Sequence, residues 1–166
     1  MIVLGIDPGL ATVGYGVVKF ENNSELTLLD FGTITTKPDI PFANRLKLIA
    51  DGISKLIDIF KPDAIAFEEL FFNKNVKTAI QVAQARGAAV LAAYSKTSEL
   101  YEYTPLQVKQ AVVGYGRADK NQVQQMVRIL CRLDSIPKPD DAADAVAIAI
   151  CHAHCSATVA HLGTKI

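Results

Sequence analysis

The sequence predicts an α/β domain built on a mixed sheet, and three stretches carry that expectation. Met1–Gly9 (MIVLGIDPG) runs from apolar residues into an acid and stops at Pro8-Gly9, which reads as a short buried strand closed by a turn. Side chains alternate along a strand, so Ile2, Leu4 and Ile6 share one face while Val3, Gly5 and Asp7 share the other. Both faces are apolar until the last position, as in a central strand covered on two sides. Two further strands, Thr12–Phe20 and Leu26–Thr35, follow at tight-turn spacing and predict an antiparallel meander. A helix then separates the meander from Ala64–Phe67, an apolar run ending in Glu68-Glu69, so a parallel crossover beside strand one is expected.

The elements follow in order. Gly14 and Gly16 share one face of the second strand, where missing side chains permit close approach by another element. Asn22-Asn23 marks the next turn. Phe42, Leu46, Ile49, Ile53, Leu56 and Phe60 recur at three- and four-residue intervals and predict an amphipathic helix, ended by Lys61-Pro62-Asp63. After Leu70-Phe71-Phe72, a helix from about 75 to 94 carries the stripe Val76, Ala79, Ile80, Ala83, Gly87, Val90 and Leu91. Ser98–Tyr103 is the fifth strand. Helices over Pro105–Val112 and Lys120–Leu133 flank Gly114–Arg117, and an alanine-rich helix opens near Asp140 and runs to about Cys155. With no repeat or linker, residues 1–155 form one domain and 156–166 a frayed tail.

The 166 residues suffice to bury roughly two thirds of the unfolded surface. Formal net charge is zero, so no global basic field points to nucleic acid. Local asymmetry is more informative: Thr104 to Lys138 holds Lys109, Arg117, Lys120, Arg128, Arg132 and Lys138 against Asp119 and Asp134. Such a surplus makes either a phosphate-facing patch or a solvated helix face. There is no dinucleotide fingerprint and no phosphate loop. No basic leader opens the chain, no apolar run spans a membrane, and three cysteines form no disulfide framework, so a cytoplasmic protein without a membrane partner is expected.

The acids carry the chemistry. Asp7 ends a core strand, where ligands of open α/β sheets bind, although an Asp before Pro-Gly also suits an ordinary turn. Glu68 repeats the arrangement beside it, and alternation turns Glu69 away. Asp141 and Asp144 share a helix face. First-turn acids also stabilise a helix dipole by a few tenths to ~1 kcal/mol, which accounts for Asp140 as the cap. Asp144 is set among buried alanines, and a lone buried carboxylate costs several kcal/mol unless paired or metal-bound. Four carboxylates in one place call for hard cations, magnesium or manganese, and two such ions about 4 Å apart can clamp a phosphodiester. Cys151-His-Ala-His-Cys155 offers a zinc alternative, but His152 and His154 project differently and no second ligand cluster accompanies them.

Gly5-Ile-Asp-Pro-Gly9, Gly14-Tyr-Gly-Val17, Arg45-Leu-Lys-Leu-Ile49, Gln84-Ala-Arg-Gly87, Gln107-Val-Lys-Gln110, Val112-Val-Gly114 and Asp141-Ala-Ala-Asp-Ala145 follow one another in order. Together, over residues 2 to about 154, they resemble the bacterial RuvC family of Holliday-junction resolvases. The resemblance implies a ribonuclease-H-like fold, a five-stranded mixed sheet flanked by helices, and a homodimer. It implies that Asp7, Glu68, Asp141 and Asp144 are catalytic and hold two Mg2+ ions per subunit, with Mn2+ as the other option. An amide follows the second acid in a relative, whereas Glu69 stands here. Phe71 falls where the family places an aromatic against the junction's central bases, with a core role for Phe71 or Phe72 as the alternative. Lys109 and Lys120 fall at basic positions facing the DNA, and Arg86 and Lys77 are further phosphate candidates.

The expected function is a magnesium-dependent endodeoxyribonuclease that resolves four-way DNA junctions by paired symmetric nicks, leaving 5′-phosphate ends, in recombination and repair. Four-way junction DNA and a branch-migration motor are the implied partners. The alternatives are a ribonuclease-H-like nuclease on another substrate, a non-catalytic junction-binding protein, and an actin- or sugar-kinase-like ATPase, for which the chain is too short.

Overall fold

A computed structural model describes residues 1–21, 25–70, 76–157 and 163–166, without the side chains of Val76 and Lys77; the turn expected at Asn22-Asn23 lies outside them. Strands β1 (Ile2–Asp7), β2 (Thr12–Phe20) and β3 (Leu26–Thr35) form the expected meander. Helix α1 (Phe42–Phe60) leads to β4 (Ala64–Glu68), which pairs parallel to β1 with Ile6 opposite Phe67. Then come α2 (Val76–Tyr94), β5 (Leu100–Tyr103), α3 (Pro105–Val113), α4 (Lys120–Leu130), α5 (Asp140–Ala157) and β6 (Thr164–Lys165). The sheet order is β3-β2-β1-β4-β5-β6.

Alternation in β1 sorts the core. Leu4 and Ile6, with Ile65 and Phe67 of β4, pack beneath α1 and α2. Val3 and Ala66 face the other way, into a layer formed by α3, α4 and α5. Ile49, Ile53 and Leu56 of the predicted α1 stripe are buried, and Phe42, Leu46 and Phe60 pack against the same cluster. Among the described residues no helix is long and apolar enough to cross a membrane.

Four expectations shift. The sheet has a sixth strand, because Thr164–Lys165 pairs antiparallel with Glu102 and Tyr101, so this part of the tail is not frayed. Two residues carry no periodicity; their position is set by the β5 edge they cover and by Lys165 Nζ, 2.7 Å from Glu99. Strand β5 begins at Leu100 rather than Ser98, since the Glu99 amide donates to Thr97 Oγ1 in a local turn (3.1 Å). Helix α4 ends at Leu130 rather than Leu133. Arg132 adopts a left-handed conformation (φ 53°), and the Arg132 and Leu133 amides donate to Ile129 O and Arg128 O, a C-terminal motif that the sequence disguises by lacking glycine. Finally, Asp140 lies inside α5 and its carboxylate pairs with Lys138 Nζ (2.8 Å) instead of capping the helix.

Candidate active site

Asp7 is the last residue of β1 and stands opposite Gly14 of β2. The parallel register sets Ile6 beside Phe67, which brings Glu68 next to Asp7 on the neighbouring strand and the same face. Helix α5 lies across that face unusually low. A Cβ on Gly5 would fall 2.1 Å from Ala145 O, one on Gly14 would fall 2.0 Å from Asp141 O, and one on Gly16 would fall 2.7 Å from the Val146 Cα. The helix thus rests on bare sheet backbone, and Ala142, Ala143, Ala145 and Ala149 of its own surface are fully buried. Glycine below and alanine above set Asp141 over Gly14, beside Asp7, with Asp144 less than a turn further along.

The electrostatics register this crowding. Asp7 is pushed up to about 8, first by burial and then by the charges of Glu68, Asp144 and Asp141, with Lys120 opposing. Glu68 is pushed up to about 7 by burial and by Asp144, against Lys109 and Lys120. Burial also raises Asp144, while its hydrogen bond with Lys120 lowers it and holds the lysine charged. Among the described residues the excess negative charge is therefore only partly compensated. An all-carboxylate donor set of this kind fits hard divalent cations. In the described side-chain positions no three His, Cys, Asp or Glu groups converge at ligand distance, and the Asp144 carboxylate instead holds Lys120 Nζ at 2.8 Å.

Beside the acids lies a cleft of about 190 Å³ walled by Glu68, Asp144, Lys109, Lys120, Val108 and Val123. Both lysines expected near phosphate thus open onto it. Each is aimed by a well-anchored helix. α3 starts with a capping box in which Thr104 and Gln107 satisfy each other's backbone amides, and α4 starts with the same device from Asp119 and Gln122.

The remaining candidates divide. Arg86 lies apart from the acids: its guanidinium pairs with Glu102 and sits 5.8 Å over the Phe67 ring, on the α2 side of the sheet away from Asp7. A helix-borne arginine shows its charge in the sequence but not the carboxylate that waits across the fold. Phe71, Phe72 and the Lys77 side chain lie outside the described residues. In the C-terminal His-Cys stretch, His152 Nδ1 is 2.8 Å from the Tyr103 hydroxyl, and His154 Nδ1 is 3.1 Å from Ala111 O. Each ring is thus engaged in a separate place. The sequence reading gave no role to Arg45 or Thr36. Arg45 Nε donates to Thr36 Oγ1 (2.9 Å), and the Thr36 hydroxyl donates to Leu10 O (2.5 Å). Arg45 lies off the apolar stripe of α1, and that was the available signal.

A ribonuclease-H-like sheet with carboxylates gathered at the carboxyl ends of β1 and β4, under a helix that adds two more, defines the class of metal-dependent nucleases that cut phosphodiesters. The comparisons narrow the class. A family model described as crossover junction endodeoxyribonuclease RuvC matches residues 3–152. The crossover junction endodeoxyribonuclease RuvC of Ruminiclostridium cellulolyticum is 56% identical over 163 residues, 98% of each chain. The structure of Thermus thermophilus RuvC superposes with a TM-score of 0.87 at 39% identity, covering 94% of this chain and 95% of that one. The T. thermophilus protein in complex with a Holliday junction substrate gives 0.86 at 36% identity, with the same coverage. The chain belongs to the RuvC family of crossover junction endodeoxyribonucleases.

Proposed function

We propose that this protein resolves four-way DNA junctions by paired, symmetric nicks, with Asp7, Glu68, Asp141 and Asp144 as its catalytic carboxylates. The observation that carries the reading is the set of acids pressed together under α5, two of them held well above the ordinary carboxylate range by burial and mutual repulsion. Such a cluster is costly for a structural protein and useful to one that binds cations.

Two magnesium ions bound there, or manganese in their place, would supply an activated water and neutralise the charge that develops on the phosphate. The protein's own contribution is placement. Asp7 and Glu68 are placed by strand register and Asp141 by the glycine contact, and closing on an ion would take side-chain rotation that includes Asp144. Lys120, once released by Asp144, neutralises a phosphate oxygen together with Lys109 across the same cleft. Hydrolysis breaks the bond between phosphorus and the 3′ oxygen, leaving a 5′-phosphate and a ligatable 3′-hydroxyl. Phe71 stacks on unpaired bases at the junction centre, and Lys77 meets backbone phosphate. The protein acts as a homodimer, because a two-fold substrate matches a two-fold enzyme. It works in the cytoplasm with a branch-migration motor, as a single domain.

The test is nicking of a synthetic four-way junction in magnesium, beside linear duplex, an RNA–DNA hybrid and single strands. Paired nicks in the junction alone, absent from Asp7→Asn and Asp144→Asn, are expected. Tight junction binding without cutting would establish a binding protein instead, and preferential cleavage of the hybrid would make it a different nuclease.

A further inference from the structure

The acids have a second flank. Opposite the lysine cleft, a groove of about 470 Å³ is walled by Gly9, Thr12, Arg45, Thr78, Gln81 and Asp141, among others. Asp141 belongs to this groove, while Glu68 and Asp144 belong to the lysine cleft, so the carboxylates form the divide between two openings. One opening has two lysines. The other has Arg45.

Arg45 is built into its place rather than left on the surface. Thr36, 5% exposed, donates its hydroxyl proton to Leu10 O and accepts from Arg45 Nε, and the Thr36 amide donates to Ala11 O (2.9 Å). The side chain is thereby tied to the loop that follows Asp7. Its two terminal guanidinium nitrogens have no hydrogen bond or ion pair among the described residues, whereas the guanidinium of Arg86 is paired with Glu102. A guanidinium anchored through Nε, with its outer fork unused and a nucleotide-sized groove before it, suits the planar oxygens of a phosphate.

We propose that Arg45 seats a backbone phosphate of the bound DNA strand on the side of the nick opposite Lys109 and Lys120. The strand then crosses the acids with a cationic hold on each flank, which fixes its direction and the linkage that reaches Asp7. This rests on the nuclease reading above. Arg45 is a positioning residue: it binds a neighbouring phosphate and leaves the reacting one to the carboxylates.

The experiment measures binding of a synthetic four-way junction without magnesium, from 50 to 200 mM KCl, for the wild type, Arg45→Ala, Arg45→Lys and Thr36→Val. The same set is titrated with junctions carrying one neutral methylphosphonate, moved along the strand on each side of the nick. Arg45→Ala should bind about tenfold more weakly, with a salt slope shallower by about 0.9, the share of one phosphate contact. Arg45→Lys should recover the slope and only part of the affinity, and Thr36→Val should fall between them. At one linkage the methylphosphonate should weaken the wild type and leave Arg45→Ala unaffected, a signature that a purely structural role would not produce. An unchanged slope in Arg45→Ala, or equal sensitivity of wild type and variant at every linkage, overturns the proposal. If Arg45→Ala does not fold, Arg45→Lys decides by the same criterion, since its penalty must shrink at that one linkage. Failure of the wild type to nick the junction in magnesium would count against the resolvase reading alone, because the slope and the linkage effect are read from binding.

Discussion

Two carboxylates one residue row apart in the sheet are treated in opposite ways. Glu102 stands in the row of Ile6 and Phe67, faces α2, and is answered by Arg86, which also covers the Phe67 ring. Asp7 stands in the next row, faces α5, and is answered by three more acids, with Lys120 the only cation among the described residues opposing its rise. The first arrangement pairs its charges within the folded chain. The second holds electrostatic repulsion that a bound cation would relieve, so stability and function are segregated to the two faces of one sheet.

The comparison breaks most sharply at Asp7. Asp7→Asn should reduce nicking by roughly 10³-fold or more, yet raise the melting temperature of the metal-free protein at pH 8, because it removes a charge from a repelling group. Gel assays and thermal melts run side by side would show the opposed changes; a variant both inactive and less stable would contradict the segregation. On the other face, Arg86→Ala should cost about 3 kcal/mol by leaving Glu102 half-buried and unpaired, with nicking per folded molecule unchanged. A loss of junction affinity there would return Arg86 to the DNA surface.

Lys120→Ala comes next. It should slow nicking by about tenfold to a hundredfold and raise Asp7 and Asp144 further, since Lys120 opposes both shifts. The smallest effect is in pH. Asp7 and Glu68 have folded values of about 8 and about 7, above the ordinary carboxylate range, so the folded state keeps protons that the unfolded chain releases. Metal-free stability is therefore full near pH 4 and declines as pH rises towards 8. Melting temperatures should fall by a few degrees over that window. Magnesium should flatten the decline, and at a hundredfold excess over its dissociation constant should add about 2.7 kcal/mol.

How much of this was legible in the sequence depended on the range of the interaction. The facing of β1, the stripe of α1 and the bare backbone at Gly14 and Gly16 were readable, because each is a local pattern with a fixed period. The gathering of Asp7, Glu68, Asp141 and Asp144 was readable too, since strand ends and one helix face restrict where those side chains can go. What escaped was pairing across the fold. Arg86 looks the same in sequence whether it meets a phosphate or Glu102, Asp140 the same whether it caps or pairs with Lys138, and the two-residue β6 exists only because β5 offers an edge. The Thr36 anchor for Arg45 joins a strand's end to a helix across a loop, with no spacing rule to announce it.

The glycine contacts under α5 have a consequence for the order in which the protein is made. Gly5 and Ala145 touch across 140 positions of the chain, and Gly14 meets Asp141 across nearly as many. Until α5 has been synthesised, the backbone at Gly5 and Gly14 has nothing to rest against, and two of the four acids do not yet exist. A chain that ends before α5 carries only Asp7 and Glu68 and cannot assemble the cutting centre. Contacts of such long sequence separation form late, so nuclease activity is withheld through synthesis and arrives with the closing helix.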